Sequence, residues 1–442
     1  MTSPLTGVTI LDLTQFLSGP FGTQILGDLG AEVLKVEPPQ GDVSRTVPPH
    51  FIAGDSAYYL STNRNKKSLV IDARQPEGLD LIKKIASTAD VLIENYRPGV
   101  AGRLGIDYDE LRKTNPRLIW CSISGFGQDG PYRYRPAYDM IVQAISGGMS
   151  MTGERGGPPV RTGVPLGDLA AGMYGVIGIL AALHRRGETG EGEHIDISML
   201  DCQIAMLSYQ ASYYLHSGNV PGRQGRGHDA IPTYRCFTCG DGVDVAVTAN
   251  SECMWQALCA VLGHAALATD ERFVNLAARL SNRVELEPLL EELFLAQPAA
   301  EWATRLEAAG IPAALVNTVD VALADPQVLH REMVVQLEGS QPGQQARVAG
   351  LAAQAFESRV DGQAQGVRIT LHNGALEQVQ RRGLILPGEF TDASAQSAGA
   401  GVRFGLLGHA DLSLEYADPL GTPVALEASD DGRVFISLSV HR

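Results

Sequence analysis

Asp168 ends the segment RTGVPLGD and stands directly before a stretch, 169–186, that carries no charge until His184, Arg185 and Arg186. A carboxylate there can act in two ways. As an N-cap it accepts a hydrogen bond from the amides of the first helical turn. As a nucleophile it attacks a carbonyl while nearby backbone amides stabilise the developing oxyanion. Position is common to both readings, so both stay open. Tyr138 with Asp139, and the loop 222–228 ending at His228, are further polar candidates. Each has a plainer reading, a satisfied helix start and a solvent-facing loop histidine.

Two familiar patterns lose force in context. Residues 125–130, GFGQDG, match G-x-G-x-x-G after a strand, as in dinucleotide sites. Pro131 follows at once, however, and 132–135 alternate Tyr and Arg before Pro136 instead of opening an apolar helix, so the segment reads as a loop. Cys236 and Cys239 form a C-x-x-C, half of a zinc or redox site; without a second pair to complete four ligands they read as strand cysteines beside a turn. Neither a G-x-S-x-G elbow nor a G-x-x-x-x-G-K-[ST] loop occurs.

The elements that must position these groups alternate between strand and helix. Residues 8–13, 33–36, 68–71, 91–94, 118–124 and 194–198 read as buried strands. Helices are expected over 17–30 after a loop, 78–87, 169–186 and from Leu200 toward Tyr214, with a helical turn near Asp109. That alternation predicts an α/β fold with a parallel sheet covered on both faces. A connector rich in Gly, Arg and Pro spans 219–228. A second unit then follows, with a hairpin around 240–242, helices near 254–262, 284–295 and 299–309, and a strand near 313–316. After Val335 a Gln/Gly/Ala-rich linker leads to short alternating runs at 367–372, 412–416 and 433–440, which predict a β-rich C-terminal segment.

Composition bounds the partners. The 442 residues carry a net charge of −15, with 44% hydrophobic and 19% charged residues, which suits a globular protein and not a general nucleic-acid or acidic-membrane binder. All six lysines lie at or before Lys113, so beyond it only arginine offers fixed positive charge to an anionic ligand. No secretory pattern opens the chain, no stretch reads as the roughly 18 apolar residues of a membrane span, and the scattered cysteines suggest no disulfide framework. A cytoplasmic location and no membrane partner are the expectations.

Taken in order, the blocks LTGVTILDLT at 5–14, SGPFGTQ at 18–24, LGAEVLKVEP at 29–38, NRNKKS at 63–68, ENYRPG at 94–99, SISGFGQDGPY at 122–132 and HIDISMLD at 194–201, with the segment ending at Asp168, resemble the family III CoA-transferases. This resemblance implies a large Rossmann-like CoA-binding domain over 1–218 and a connector with a smaller α/β domain over 219–335. The atypical β-rich segment, 336–442, lies beyond the family pattern, whose C-terminal return is echoed only weakly by LLGH at 406–409. It implies an interlocked, ring-like homodimer. Matched residue by residue, Asp168 falls on the catalytic aspartate. Leu17 and Ser18 fall on the loop at the thiol end of CoA; Ile71, Arg74, Asn95, Tyr96 and Arg103 fall on positions that hold its nucleotide and phosphates; Tyr138 and Met199 fall beside the thioester.

The activity so implied is transfer of CoA from an acyl-CoA donor to a free carboxylic acid through an acyl-aspartyl anhydride and an aspartyl-CoA thioester. CoA is then substrate, and no metal or redox cofactor is expected. Leu17 and Pro38 depart from the oxalate enzymes, which makes oxalate or formate unexpected as substrates. Rival readings are an α-methylacyl-CoA racemase, an intramolecular CoA shift within one diacid, and a CoA-binding protein without catalysis. The racemase needs a His-Asp base pair where this chain has Tyr138-Asp139, and a phenol with pKa near 10 is a poor base at neutral pH.

Overall fold

The computed structural model describes residues 3–338 and 345–350 together with four short strands between 403 and 437. Two compact units divide the chain, Met1–Ala352 and Ala353–Arg442. In the first, six strands form one sheet: β1 (Thr9–Asp12), β2 (Glu32–Glu37), β3 (Lys66–Val70), β4 (Val91–Glu94), β5 (Ile119–Ser124) and β6 (His194–Ser198). All pair in parallel, in the order β3-β2-β1-β4-β5-β6. β4 and β5 are buried along their whole length, which is why they read as continuous apolar runs and not as alternations.

Helices cover both faces. Helix α1 (Ser18–Asp28) and the long α4 (Leu166–Thr189) pack on one, and α2 (Pro76–Ala86) on the other. Pro76 and Glu77 open α2 while Lys83 and Lys84 close it, an arrangement that suits both the missing first-turn bonds and the dipole. Its Ile82 and Ala86 join Leu11, Leu92 and Trp120 in a buried cluster. Between β5 and α4 lies α3 (Asp139–Ile145); after β6 come α5 (Met199–Met206) and α6 (Tyr209–Ser217). The helix expected to run unbroken from Leu200 to Tyr214 is therefore two, parted at Ser208, whose φ of 50° no regular helix holds.

α1 and α4 cross where glycine removes the side chain. A Cβ on Gly172 would lie 2.6 Å from the backbone oxygen of Ser18, and one on Gly22 would lie 3.0 Å from that of Gly172. Gly172 sits one turn after Asp168, so this close crossing brings the start of α1 beside Asp168.

Further along the first unit, β7 (Tyr234–Thr238), β8 (Asp244–Thr248) and β9 (Ala313–Leu315) form an antiparallel sheet backed by α7 (Glu252–Val261), α8 (Arg283–Phe294) and α9 (Ala299–Ala308). Phe237, Trp255, Phe294 and Trp302 fill its core, with the Phe237 and Phe294 rings stacked at 4.1 Å. Val334–Glu338 and Gln345–Ala349 pair as a hairpin. In the second unit the described residues are the strands Arg403–Leu406, Ala410–Glu415, Leu426–Ala428 and Val434–Ser437, hydrogen-bonded as one sheet. The run expected at 367–372 lies outside the described residues.

One expectation about apolar length needs correcting. Leu166–Thr189, which holds an 18-residue stretch of mean hydropathy 1.7, is long and apolar enough to cross a membrane by length and composition alone. Its small residues hid this in the sequence by diluting large side chains with glycine and alanine.

Candidate functional site

The strand order reverses between β1 and β4, and in open α/β sheets the loops diverging at such a point open a ligand crevice at the strands' carboxyl ends. A cavity of about 330 Å³ lies there. Gln15, Phe16 and Ser18 line it after β1, Asn95, Tyr96, Arg97 and Pro98 after β4, and Ser124 with Gly125 at the end of β5. Arg133, Arg135, Tyr138, Asp168 and Met199 complete the wall. Asn95 staples the two diverging loops: its Nδ2 donates to the Gln15 carbonyl at 2.8 Å and its Oδ1 accepts the Gln15 N–H at 3.0 Å. The glycine loop of 125–130 is fixed in turn, with the Gly127 N–H on Ser124 Oγ at 3.0 Å and the Gln128 N–H on Asp196 Oδ2 at 2.8 Å. Gly127, at φ 85°, and Gly130, at φ 76°, take the left-handed region, and no helix follows before Asp139, so this is a loop and not a pyrophosphate cradle.

Asp168 is the third residue of α4. Pro165 occupies the N-cap, and no side chain of the cap residue bonds the first turn. The capping reading of Asp168 thus fails on geometry. Asp139, from α3, does that work across 28 residues: its Oδ1 accepts the Gly167 N–H at 2.8 Å and its Oδ2 accepts from Gln143 Nε2 at 2.7 Å. Part-buried Asp168 is left without a hydrogen-bond donor among the described residues. Burial, and then the charge of Asp139, push its carboxyl up to about 7, against the pull of the α4 N-terminus.

Below the cavity a buried ionic network shapes the loop after β1. Asp12 accepts from Thr14 Oγ1 at 2.5 Å, Thr23 Oγ1 at 2.6 Å and Lys66 Nζ at 3.3 Å. Burial opposes its ionisation, yet Lys66, Lys35 and the two threonine hydroxyls hold its carboxyl at about 2. Lys35 joins the Thr14 carbonyl and Asp42 Oδ2, each at 2.8 Å, and Asp42 Oδ1 accepts the Phe16 N–H at 3.4 Å. Phe16 is held at φ 70°, a costly conformation for a residue with a side chain, and its ring meets those of Tyr58 and Tyr138 edge-on at 6.2 and 6.3 Å.

Of the residues singled out in the sequence, Ser18, Asn95, Tyr96, Tyr138, Met199 and Asp168 line this one cavity. Leu17 sits next to it, part-buried, at the N-cap position of α1. The others lie elsewhere: Ile71 is buried in the core, exposed Arg74 is held by Asp72 at 2.8 Å, and Arg103 is exposed on the short helix Val100–Leu104. His228 is not a free loop histidine, since its ring stacks between Tyr209 and Tyr234 and its Nδ1 lies 2.9 Å from Asp229. Burial pushes the thiols of Cys236 and Cys239 up, so neither is poised as a thiolate.

Sequence reasoning missed three arginines. Arg97, Arg133 and Arg135 face the cavity, and among the described residues none pairs with a carboxylate. Arg135 lies 3.6 Å over the Tyr132 ring and Arg133 lies 4.3 Å over that of Tyr134, which orients their guanidinium planes. Four of the six lysines, by contrast, are engaged: Lys35 and Lys66 with buried carboxylates, Lys67 with Glu32 and Lys113 with Glu110. An alternation of Tyr and Arg after Gly130 was the available signal.

Comparison with known proteins agrees with this geometry. The profile of CoA-transferase family III matches residues 5–365. Over 336 residues the chain is 41% identical to a human succinyl-CoA:glutarate CoA-transferase, covering 76% of each. It is also 41% identical over 350 residues to an acetyl-CoA:oxalate CoA-transferase of Acetobacter aceti, covering 78% of this chain and 90% of the other. A solved CAIB/BAIF family protein from Brucella suis superposes with a TM-score of 0.73 at 36% identity, covering 87% of this chain and 100% of that one.

Proposed function

The chain belongs to CoA-transferase family III, and from that premise we propose that it moves CoA from an acyl-CoA donor to a free carboxylic acid, with Asp168 as the carboxylate that is acylated. The observation that carries this reading is a carboxylate with no hydrogen-bond donor, set in a cavity it shares with three guanidiniums that pair with no carboxylate among the described residues, at the reversal of the sheet. Guanidinium forks suit the phosphates of CoA, and an unbonded carboxylate is free to attack.

The steps balance without a further reactant. The Asp168 carboxylate attacks the thioester carbonyl and expels CoA thiolate, leaving a mixed anhydride. The thiolate attacks the aspartyl carbonyl and releases the donor acid, giving an aspartyl-CoA thioester. The acceptor carboxylate repeats the first step on that thioester, and the returning thiolate takes the new acyl group and frees Asp168. Both α1 and α4 begin at this cavity; in α4 the Leu166, Gly167 and Leu169 N–H groups are already bonded, to Val164 O, Asp139 Oδ1 and Pro165 O, so the first-turn amides of α1 are the donors we assign to the oxyanions.

No histidine lines the cavity, and Tyr138 stands at the position a racemase base would need, which counts against proton exchange. Leu17 and Pro38 alone argued against oxalate. The relatives' names point to short dicarboxylic acids as the first acceptors to test. The deciding experiment incubates the enzyme with acyl-CoA and then hydroxylamine. A hydroxamate on the peptide holding Asp168 is expected, together with loss of turnover but retained CoA affinity in Asp168→Ala. An adduct on another carboxylate, or transfer by Asp168→Ala, would overturn the reading. Screening donors against acids by mass spectrometry separates transfer, isomerisation and racemisation.

A further inference from the structure

We propose that Gln143 is a positioning residue for the transfer step, acting with Asp139 as a clamp that fixes the segment carrying Asp168. The proposal rests on Asp168 being the acylated group. Gln143 is 3% exposed and lies one turn after Asp139 on α3. Its Nε2 donates to Asp139 Oδ2 at 2.7 Å, and its Oε1 accepts the Thr162 N–H at 3.0 Å and lies 3.2 Å from Thr162 Oγ1. Asp139 Oδ1 accepts the Gly167 N–H at 2.8 Å. One amide and one carboxylate thus tie both ends of the segment 162–167 to α3, and Asp168 follows by a single peptide. Gly167 is pressed into place from behind, since a Cβ there would lie 2.7 Å from Gln203 Nε2 and 3.0 Å from Asp139 Oδ1.

The polarity of this arrangement is specific. Asp139 needs a donor at 143 and Thr162 needs an acceptor, and an amide offers one of each. A glutamate of the same shape would set a carboxylate against that of Asp139. Geometry at a reacting carboxylate matters steeply, because small misplacements remove near-attack conformers.

The test is a donor–acceptor exchange with acyl-CoA as the probe. Gln143→Glu and Asp139→Asn should each lower kcat about tenfold while leaving KM for acyl-CoA within about twofold. In the double variant, Asp139→Asn with Gln143→Glu, the new amide donates to the new carboxylate and its carbonyl still accepts from Gly167. There kcat should recover to within about threefold of wild type. A purely packing role predicts no such rescue. Melting temperature and CoA affinity serve as controls; if Gln143→Glu does not fold, Gln143→Met, which keeps the length but neither bond, should show the same loss of kcat. Wild-type kcat in Gln143→Glu or Gln143→Met, or a double variant no better than the worse single one, overturns the clamp while a wild-type hydroxamate on Asp168 stands. A wild-type adduct elsewhere overturns the Asp168 reading, and the clamp with it.

Discussion

At Asp168, reactivity and stability pull in opposite directions. Only the ionised carboxylate attacks a thioester, and burial beside Asp139 raises its pKa from 3.8 to about 7. The kcat/KM for acyl-CoA should therefore climb with pH through about 7 and level off above it; a limb near the ordinary carboxylate value would show Asp168 not to be the titrating group. The groups facing it are Asp139 from α3, Tyr58 near Phe16, and Tyr138, Arg97, Arg133 and Arg135 on the cavity wall. For stability, the folded chain keeps a proton that the unfolded chain has lost between 3.8 and about 7, so this group's contribution falls as pH rises across that window. Asp168→Asn should accordingly melt a few degrees higher than wild type at pH 8 and no higher at pH 4. Asp168 was legible because its segment is local, ending in Gly-Asp before an apolar stretch. Asp139 stood out as a polar candidate but its role did not, because the amide it accepts from is 28 residues away and no spacing rule spans that distance. The cavity arginines were visible as charges, but their want of a carboxylate partner exists only in three dimensions. Arg74 lies outside this cavity, exposed and paired with Asp72 two residues earlier.

Among the elements, the crossing of α1 and α4 sets the site. Gly172→Ala would thrust a methyl to within 2.6 Å of the Ser18 carbonyl oxygen, so the two helices must part. We expect a loss of about 1–3 kcal/mol of stability together with a fall in kcat, because Ser18 and Asp168 separate. Gly187→Ala on the same helix meets nothing within 4 Å and should leave kcat unchanged, with stability equal or slightly higher. Thermal melts and turnover on the two variants check this, and equal behaviour would remove the crossing as the device that sets the site. Most element spans could be read from periodicity, β4 and β6 to the residue. The first turn of α4 could not, because 166–168 holds no periodic apolar run and its cap comes from α3. The break at Ser208 also left no trace, since neither glycine nor proline marks it.

At the scale of the whole molecule, an apolar face asks for a cover. On α4, Ile177 is 60% exposed with Met173 and Tyr174 exposed beside it on the same helix, and the two helices packed on α4 leave Met140 of α3 56% exposed and Ile204 of α5 exposed. α4 has its other side against α1 and the sheet, where Gly175 approaches Cys121 and Ile123, so its high hydropathy serves two faces at once. An aqueous surface of this extent is costly at about 25 cal/mol per Å² of apolar area. A second copy of the chain, supplying the same helices, would cover it, and an interlocked homodimer is the form we propose. Light scattering should then give twice 47.1 kDa, with no folded monomer on dilution to nanomolar concentration, because linked chains separate only by unfolding. Ile177→Glu, which buries a charge in that interface, should abolish the soluble dimer and with it activity, while Glu188→Gln at the exposed end of α4 should do neither. A compact, active monomer would exclude the dimer. Co-flotation with phospholipid vesicles, lost in Ile177→Glu, would instead assign the face to a membrane, which the length of α4 permits but its glycines, spent on close packing within the chain, do not require.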